Sequence, residues 1–368
     1  MGAMYFKSDK DLYERIGAAG AAAAFDASPL FGPGSGAVIA PNGEIFNAFY
    51  TKVKGEERAL FGEASWNLAD GWKLTAGGRL YQNEIDSTSR QVGFSTYPGD
   101  PIVTPTGDDE DGFSPKVSLS YRANDDLMIY ALYSEGFRFG TPNTQGLSDF
   151  TVPSGSKSDS LKNYEIGART NWLGNALLVD ATVFYVDWQD IQLRLQTPDF
   201  FNYAANGGAA EIKGIETSIT VRPAASFDWQ SSVTYMEARL TEPLFILFAG
   251  SAPKGSQLPG SSDWSVSNTA SYQFAGRFEP TLVVSHRYLS KGISDLNSAV
   301  PGAVPSEQGD YNLIDVRLRA TFGSTMATVF ADNIGDERGI TRTVPEANGL
   351  SQGLVRPRTY GLTLNWSF

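Results

Sequence analysis

Connections of two very different lengths alternate along this 368-residue chain, and that alternation limits its possible folds more than any other feature. The short connections are Ala69–Gly71, Asn124–Asp126, Leu173–Asn175, Pro223–Ala225, Gly276–Arg277 and Gly323–Ser324. Between them lie much longer stretches rich in Gly, Ser, Pro and Asp, including 88–111, 241–261 and 292–309. β-Sandwiches show no such one-sided rule, whereas outer-membrane barrels have short periplasmic turns and long extracellular loops.

The segments between these connections alternate apolar and polar residues with a period of two, which is typical of β-strands with two different faces. In Asn163–Trp172, for example, Tyr164, Ile166 and Trp172 share one face while Glu165 and Arg169 share the other. The pattern predicts about fourteen strands, an even number that suits a closed antiparallel barrel, because bacterial barrels pair strands up and down. The predicted spans are 2–11, 46–68, 72–87, 112–123, 127–139, 158–172, 176–193, 209–222, 226–240, 262–275, 278–291, 310–322, 325–335 and 353–368.

Composition excludes several kinds of chemistry. The chain has no Cys and one His, His286, which argues against disulfides, thiolate metal sites and Cys or His nucleophiles. Its net charge of -12 argues against a nucleic-acid partner, since phosphate binding requires clustered Lys and Arg. We therefore expect no enzyme activity, no catalytic residues, no metal site and no cofactor.

No apolar run approaches the roughly 20 residues that a membrane-spanning helix needs. The mean hydropathy of -0.23 would ordinarily indicate a soluble protein, but in a barrel only every second residue of a strand meets lipid. Near the N-terminus, Lys7, Lys10 and Arg15 precede a small-residue run at 16–24 that superficially resembles a signal peptide. Nearby acidic residues favour a surface loop instead, so an export signal would have to lie upstream.

Large aromatic residues cluster near the short connections and the C-terminus. On a barrel they would form one ring at the periplasmic membrane interface. They are Trp66, Trp72, Tyr121, Trp172, Trp229, Tyr272, Phe274 and Trp366.

The final segment has the form by which outer-membrane barrels are recognised for assembly. It ends in Phe, and apolar or aromatic residues occupy alternate positions before it: Tyr360, Leu362, Leu364, Trp366 and Phe368. This pattern predicts outer-membrane lipid and the barrel-assembly machinery as partners.

Together these segments resemble the C-terminal barrel region of TonB-dependent outer-membrane receptors over nearly the whole chain. The resemblance rests on motifs that occur in the family's order. They are Gly2–Lys7, Ala59–Ser65, Leu74–Leu80, Tyr133–Arg138, Asn163–Gly167, Phe184–Trp188, Lys213–Glu216, Asp332–Asp336 and the Arg358–Tyr360 ending.

The resemblance implies an all-β fold, a transmembrane antiparallel up-and-down β-barrel in the bacterial outer membrane. Members of this family are expected to have an N-terminal plug, an energy-coupling segment and a barrel of about 22 strands. Residues 1–368 lack the first two and supply about fourteen strands, so we expect a single barrel domain that is the C-terminal portion of a larger barrel. A TonB-type energy-transducing protein would be a partner only if a plug is supplied elsewhere.

Charged residues on the predicted lumen face are the candidates for ligand binding. Mutual pairing that keeps the lumen polar is the competing interpretation of these side chains. Arg138 is set apart, since it leads into the 140–157 loop and so lies near the extracellular mouth. The other candidates are Arg79, Glu165, Arg169, Glu216, Arg317 and Arg319.

Three hypotheses of function follow. In the first, the chain belongs to a receptor for a scarce small-molecule ligand, by default a ferric siderophore, taken up with TonB energy. In the second, about fourteen strands close into a passive pore, which requires the first strand to pair with the last. In the third, the chain is a non-transporting barrel subunit or scaffold whose exposed edge strands are completed by another polypeptide.

Overall fold

The computed structural model describes residues 1–29, 31–93, 102–143, 151–197, 202–246, 250–346 and 349–367. Two short helices, α1 (Ala21–Ala27) and α2 (Ser35–Ile39), and a 3-10 helix at Leu296–Ala299 accompany the strands. None of the helices in these ranges is long and apolar enough to cross a membrane. The strands are β1 (Gly2–Gly17), β2 (Ile45–Ala69), β3 (Trp72–Gly93), β4 (Ile102–Asn124), β5 (Leu127–Arg138), β6 (Thr141–Pro142), β7 (Gly155–Ser156), β8 (Asp159–Trp172), β9 (Leu177–Gln189), β10 (Gln192–Gln196), β11 (Asn202–Asn206), β12 (Ala209–Ala224), β13 (Phe227–Leu240), β14 (Leu244–Ile246), β15 (Gly250–Ala252), β16 (Trp264–Gln273), β17 (Thr281–Leu289), β18 (Gly292–Ile293), β19 (Glu307–Gln308), β20 (Tyr311–Phe322), β21 (Thr325–Asp332), β22 (Ile340–Glu346), β23 (Gly349–Leu354) and β24 (Thr359–Trp366).

One antiparallel sheet of fourteen strands dominates the described part of the chain, and each strand pairs with its neighbours in sequence. Its order is β1-β2-β3-β4-β5-β8-β9-β12-β13-β16-β17-β20-β21-β24, so each predicted strand corresponds to one member of the sheet. The predicted fold class is confirmed. Among the described residues β1 pairs with β2 and β24 with β21, and no ladder joins β1 to β24 as a closed fourteen-strand pore would require.

All six predicted short connections are turns at one end of this sheet. One of the two-residue turns joins β2 to β3 through Asp70 and Gly71, where Gly71 takes a φ of 76° that favours glycine. Another joins β8 to β9 through Leu173–Ala176, with positive φ at Leu173, Gly174 and Asn175. This is the periplasmic end of the sheet.

Register fixes which side chains share a face, because a one-residue slip would turn every side chain over. Tyr164 lies opposite Tyr185 and Ile166 opposite Val183, so the apolar residues of β8 and β9 form one continuous surface. We call this surface the outer face and the opposite one the lumen face. Ile166 on the outer face is 65% exposed in the isolated chain, as expected for a side chain that meets lipid.

Two aromatic rows bound the outer face. The lower row contains the predicted ring, in which Trp72 stacks on Tyr121 at 4.6 Å between ring centroids. The upper row lies on the extracellular side and was not predicted: its rings include Tyr133 and Tyr164, 5.1 Å apart, and Tyr235 and Trp264, 4.8 Å apart. On β8 the span from Tyr164 to Trp172 is nine residues, about the length that a tilted strand needs to cross the hydrocarbon layer.

On β24 the predicted assembly residues lie in this outer band. Tyr360, Leu362, Leu364 and Trp366 are each more than 60% exposed. The strand spans Thr359–Trp366 instead of the predicted 353–368, because residues 349–354 form β23 in a separate hairpin. Phe368 lies outside the described residues.

Strand length divides the sheet into two regions. The tall wall, β1–β4, has strands of 16 to 25 residues that continue far beyond the upper aromatic row. The low rim comprises the other ten main-sheet strands, β5 to β24, of 8 to 16 residues.

The predicted loop at 88–111 is therefore wrong for much of its length, since β3 runs to Gly93 and β4 begins at Ile102. Residues 108–111, an acidic run at the end of that predicted loop, lie within β4, and Glu110 accepts a hydrogen bond from the backbone N–H of Ser158 at 2.8 Å. Outside the lipid no face needs to be apolar, so the alternation ends while the backbone ladder continues. That loss of pattern made the strand look like a loop.

Candidate ligand-binding site

The connections of the low rim fold against one another at the extracellular end and enclose a buried apolar cluster. Ile191, Leu240, Ile246, Ala252 and Leu296 belong to it, and each is 2% exposed or less. Burying a large aliphatic side chain stabilises a structure by about 1.5–3 kcal/mol. The cluster thus holds together loops that begin on distant strands.

A cavity of about 290 Å³ opens beside this cluster, and we call it the mouth cavity. Apolar walls with a few convergent charged groups are typical of small-ligand sites. The cavity is lined by Arg138, Trp188, Ile191, Gln192, Leu193, Arg194, Leu195, Leu258, Pro259, Ser294, Asp295, Leu296, Arg342, Thr343 and Val344.

Asp159, at the start of β8, is the polar centre around which one side of the cavity is built. Its side chain is fully buried and accepts hydrogen bonds from Arg138 Nε at 2.9 Å, Trp188 Nε1 at 2.9 Å and the backbone N–H of Gln192 at 3.3 Å. The backbone N–H of Arg138 donates to the same carboxylate at 3.1 Å, and the Arg138 guanidinium lies 4.7 Å from the Trp188 ring centroid. Arg138 is therefore fixed in place, and Asp159 compensates its charge.

Arg194 on β10 and Arg342 on β22 supply the uncompensated positive charge of the mouth cavity. Both side chains are exposed, and neither guanidinium has an ion pair or hydrogen bond with another residue in the described ranges. Two such groups facing one cavity suit an anionic ligand, since guanidinium N–H groups match the geometry of carboxylate and related oxyanions.

Asp295 is the acidic group of the same cavity. Its carboxylate caps the 3-10 helix by accepting a hydrogen bond from the Asn297 backbone N–H at 2.7 Å. Burial raises the pKa of Asp295, and the hydrogen bond from Asn297 opposes that shift without cancelling it. A carboxyl held this way opposes an anionic ligand less than an exposed one would.

All seven charged candidates from the sequence lie on the lumen face by register, but the structure brings only Arg138 into the mouth cavity. Two of the others have acidic partners: Arg79 forms an ion pair with Glu57, and Arg317 Nη2 lies 2.6 Å from Asp332 Oδ1.

The remaining candidates are dispersed at membrane depth. Glu165 accepts a hydrogen bond from Asn163 Nδ2 at 2.7 Å, and the Arg169 guanidinium lies 6.0 Å from the Tyr130 ring centroid. Glu216 and Arg319 are exposed to the lumen. These contacts fit the competing interpretation, in which charged side chains keep the lumen polar.

Sequence reasoning missed Arg194, Arg342 and Asp295. The alternation Gln192-Leu193-Arg194-Leu195 could have indicated a further amphipathic strand beyond the predicted 176–193 span, with Arg194 on its polar face. No local signal connects residues 194, 295 and 342, since the folding of three separate connections brings them together.

His286 lies on the outer face of β17. Its Nδ1 is 3.1 Å from Asn268 Nδ2 and its Nε2 is 3.1 Å from Asn312 Oδ1. Both ring nitrogens are thus used within a neutral polar row on neighbouring strands, which agrees with a structural role.

Comparison with known proteins shows the family. The model of the TonB-dependent receptor-like β-barrel matches residues 5–334, which is most of the chain. The chain therefore belongs to the TonB-dependent receptor β-barrel family. It is a barrel protein of the bacterial outer membrane.

Siderophore receptors are among the solved structures with the same fold. The ferric yersiniabactin uptake receptor of Yersinia pestis is 18% identical with a TM-score of 0.74, over 88% of this chain and 47% of that one. The ferric-catecholate import receptor Fiu of E. coli K12 in its closed form is 17% identical with a TM-score of 0.69, over 100% and 51%. The siderophore receptor of Acinetobacter baumannii is 16% identical with a TM-score of 0.66, over 86% and 44%. The chain spans about half the length of these receptors, and at such identities the likeness concerns the fold.

Proposed function

We propose that this chain is the C-terminal barrel portion of an outer-membrane receptor that takes up a scarce anionic ligand, a ferric siderophore, with TonB-derived energy. The observation that carries the proposal is the mouth cavity with the guanidinium groups of Arg194 and Arg342, which have no partner in the described part of the chain. Many ferric siderophore complexes are anionic, and a cavity with net positive charge favours such ligands. The siderophore receptors that share the fold support the same ligand class.

In this proposal the low-rim loops bind the ligand and the barrel acts as their scaffold. Arg138, held by Asp159 and Trp188, shapes the cavity wall, while Arg194 and Arg342 contact the ligand. The other lumen-face candidates keep the wall polar. The proposal includes three partners. They are the small-molecule ligand, a TonB-type energy transducer acting through a plug supplied elsewhere, and another polypeptide that completes the barrel.

The test of ligand class is binding by the natural receptor in detergent. We expect a ⁵⁵Fe-labelled ferric tris-catecholate, which is anionic, to bind more tightly than a neutral ferric tris-hydroxamate. Changing Arg194→Gln and Arg342→Gln together is expected to weaken binding of the anionic complex about tenfold or more, since each charge-assisted hydrogen bond contributes about 1.5–3 kcal/mol.

Arg222→Gln is the matched control, because Arg222 pairs with Asp228 at the periplasmic end, far from the mouth cavity. It should leave binding unchanged. Equal affinity of the double variant and the natural protein, or a preference for the neutral complex, would contradict the assigned site.

A second experiment separates energised uptake from passive conduction. Cells that produce the receptor should accumulate ⁵⁵Fe under iron limitation and stop when an uncoupler removes the proton-motive force. Accumulation that continues with the uncoupler would show that uptake is not energised. Appreciable ion conductance by the purified protein in a planar bilayer would favour a pore.

The assembly residues of β24 complete the proposal. Tyr360, Leu362, Leu364 and Trp366 form an apolar row along the last strand, in the pattern that the assembly machinery recognises. Replacing Tyr360 and Trp366 with Asp should reduce the amount of folded receptor in the outer membrane. The same change at Thr359 and Asn365, on the opposite face, should have a smaller effect.

A further inference from the structure

A stack of aromatic and basic side chains lies on the outer face of the tall wall. Tyr13 on β1, Tyr50 on β2 and Arg90 on β3 occupy directly opposite positions in the register. Alternation along β1 places Tyr13 on the same face as Tyr5, Lys7 and Arg15. The stack therefore points away from the lumen and from the mouth cavity.

The stack holds two guanidinium groups in fixed positions. The Arg15 guanidinium lies 4.2 Å from the Tyr13 ring centroid, and the Arg90 guanidinium 5.7 Å from that of Tyr50. Between them the Tyr13 and Tyr50 rings lie 4.4 Å apart with an interplanar angle of 24°, and their hydroxyls are 3.2 Å apart. This hydroxyl contact raises the pKa of Tyr50.

These two arginines differ from the basic residues lower on the same wall. Lys7 and Arg58 both pair with Glu56, at 2.8 and 3.4 Å. Within the described ranges, Arg15 and Arg90 have no ion pair, so their N–H donors remain available. A cation held over a ring keeps its charge and its donors for an outside anion.

A cavity of about 290 Å³ adjoins the stack. Tyr13, Arg15 and Tyr50 form part of its wall, and Asn42 contributes an amide. The Asn42 Oδ1 accepts hydrogen bonds from the backbone N–H groups of Glu44 and Ile45, at 3.3 and 2.8 Å, so the Nδ2 amide is the remaining hydrogen-bonding group of this side chain. The cavity thus combines amide and guanidinium donors with two phenol hydroxyls.

Height above the membrane indicates what lies beside the stack. Tyr5 lies opposite Arg58, which is eight residues above Trp66 of the lower aromatic row. The same spacing separates Tyr164 from Trp172 on β8, so we place the upper edge of the lipid-facing band at Tyr5. Tyr13 follows eight residues later on the same strand. At about 3.3 Å per residue and a tilt of about 40°, the stack lies about 20 Å above that edge. The saccharides of lipopolysaccharide, whose inner sugars carry phosphate groups, surround an outer-membrane protein at this level.

We propose that Arg15, Tyr13, Tyr50 and Arg90, with the adjoining cavity, bind a phosphate-bearing saccharide of the surrounding lipopolysaccharide. The guanidinium groups contact the phosphate, while the Tyr hydroxyls and Asn42 contact sugar hydroxyls. Charge complementarity supports this occupant. Lys52 on the same face lies 3.7 Å from Asp11, whereas Arg15 and Arg90 have no acidic partner among the residues that the structure describes. The site is independent of ligand uptake through the mouth cavity.

The experiment uses the full natural protein purified in detergent and freed of bound lipid. Affinity is measured for core oligosaccharide released from lipopolysaccharide, for the same oligosaccharide after dephosphorylation, and for inorganic phosphate. We expect the phosphorylated oligosaccharide to bind at least tenfold more tightly than either of the others. Equal affinity for both oligosaccharides would overturn the proposal. If inorganic phosphate bound and neither oligosaccharide did, lipopolysaccharide would be excluded as the source of the bound phosphate.

Variants test the site itself. Changing Arg15→Gln and Arg90→Gln together should reduce affinity for the phosphorylated oligosaccharide about tenfold or more. Arg277→Gln is the matched control, because Arg277 also lies over a ring, that of Phe278 at 5.7 Å, but at the periplasmic end. Unchanged affinity in the double variant, with folding verified by heat-dependent mobility in gels, would overturn the assignment.

Discussion

The tall wall and the low rim stabilise the extracellular ends of their strands in opposite ways. In the tall wall the ladders continue, and exposed pairs such as Lys7–Glu56 cover their outer face. In the low rim the strands stop near the upper aromatic row, and their connections fold into a buried cluster around Leu240 and Ile246. Backbone pairing therefore supports the wall, while side-chain burial supports the rim.

The two regions also differ in how well they can hold a binding cavity. An exposed ladder tolerates changes in its side chains, because surface ion pairs contribute little to stability. A buried cluster fixes the positions of loops from distant strands, which is what a binding cavity needs. The mouth cavity accordingly lies beside the rim's cluster.

The largest expected effect on stability is in the low rim. Leu240→Ala should destabilise the folded loops by about 3–4 kcal/mol, because it leaves a cavity in a fully packed cluster. Leu60→Ala in the wall is the matched control, since Leu60 is 62% exposed on the outer face and should change stability much less. Hydrogen exchange of the amides in 191–196 measures the difference. Equal hydrogen-exchange protection of these amides in the two variants would contradict the view that side-chain burial stabilises the low rim more than the tall wall.

The next largest effect tests whether the lipid-facing band of the sheet continues across the strands of the low rim. Leu362→Arg should cost about 2–3 kcal/mol in the free energy of folding into vesicles, because it places a charge toward lipid. Thr363→Arg on the neighbouring lumen-facing position should cost clearly less. A reversed order would mean that the two faces of β24 have been exchanged.

A smaller effect is expected at the polar centre of the mouth. Asp159→Asn keeps the size of the side chain but removes the charge that Arg138 and Trp188 contact, at an expected cost of about 2 kcal/mol. Thermal unfolding of the purified protein measures this loss, and Asp180→Asn on neighbouring β9, where the side chain is exposed, serves as the control. An unchanged unfolding temperature would show that water or a rearranged loop replaces the carboxylate.

The smallest effect depends on pH. Burial raises the pKa of Asp295 in the folded loop above its unfolded value, so the folded loop takes up a proton at higher pH. Loop stability should therefore increase as pH falls through the folded pKa toward the unfolded one. Asp295→Asn should remove this dependence and stabilise the loop by under about 1 kcal/mol at neutral pH. A pH dependence that persists in the variant would assign it to another group.

Sequence reasoning succeeded where lipid imposes a pattern. The alternation of Tyr164 and Ile166 with Glu165 exists because one face meets hydrocarbon and the other water, so it revealed both the strands and their faces. The short turns were equally predictable from the sequence, since Gly71 and Gly174 occupy positions that favour glycine.

It failed where no such pattern exists. The upper halves of β3 and β4 have polar residues on both faces, and the short strands of the rim are too brief to show a period. Arg194 and Arg342 meet only because separate connections converge on one cavity. That convergence depends on tertiary packing, which no local stretch of sequence encodes.

The unequal strand lengths also make access to the protein one-sided. β2 has 25 residues and β21 has 8, so the strand ladder of one flank extends farther above the membrane surface than that of the other. A solute travelling along the cell surface meets a barrier on the first flank and an approach on the second. Neighbouring sugar chains that lean over the lower flank would then govern arrival, so encounter rates should respond to the length of those chains as well as to the receptor's own residues.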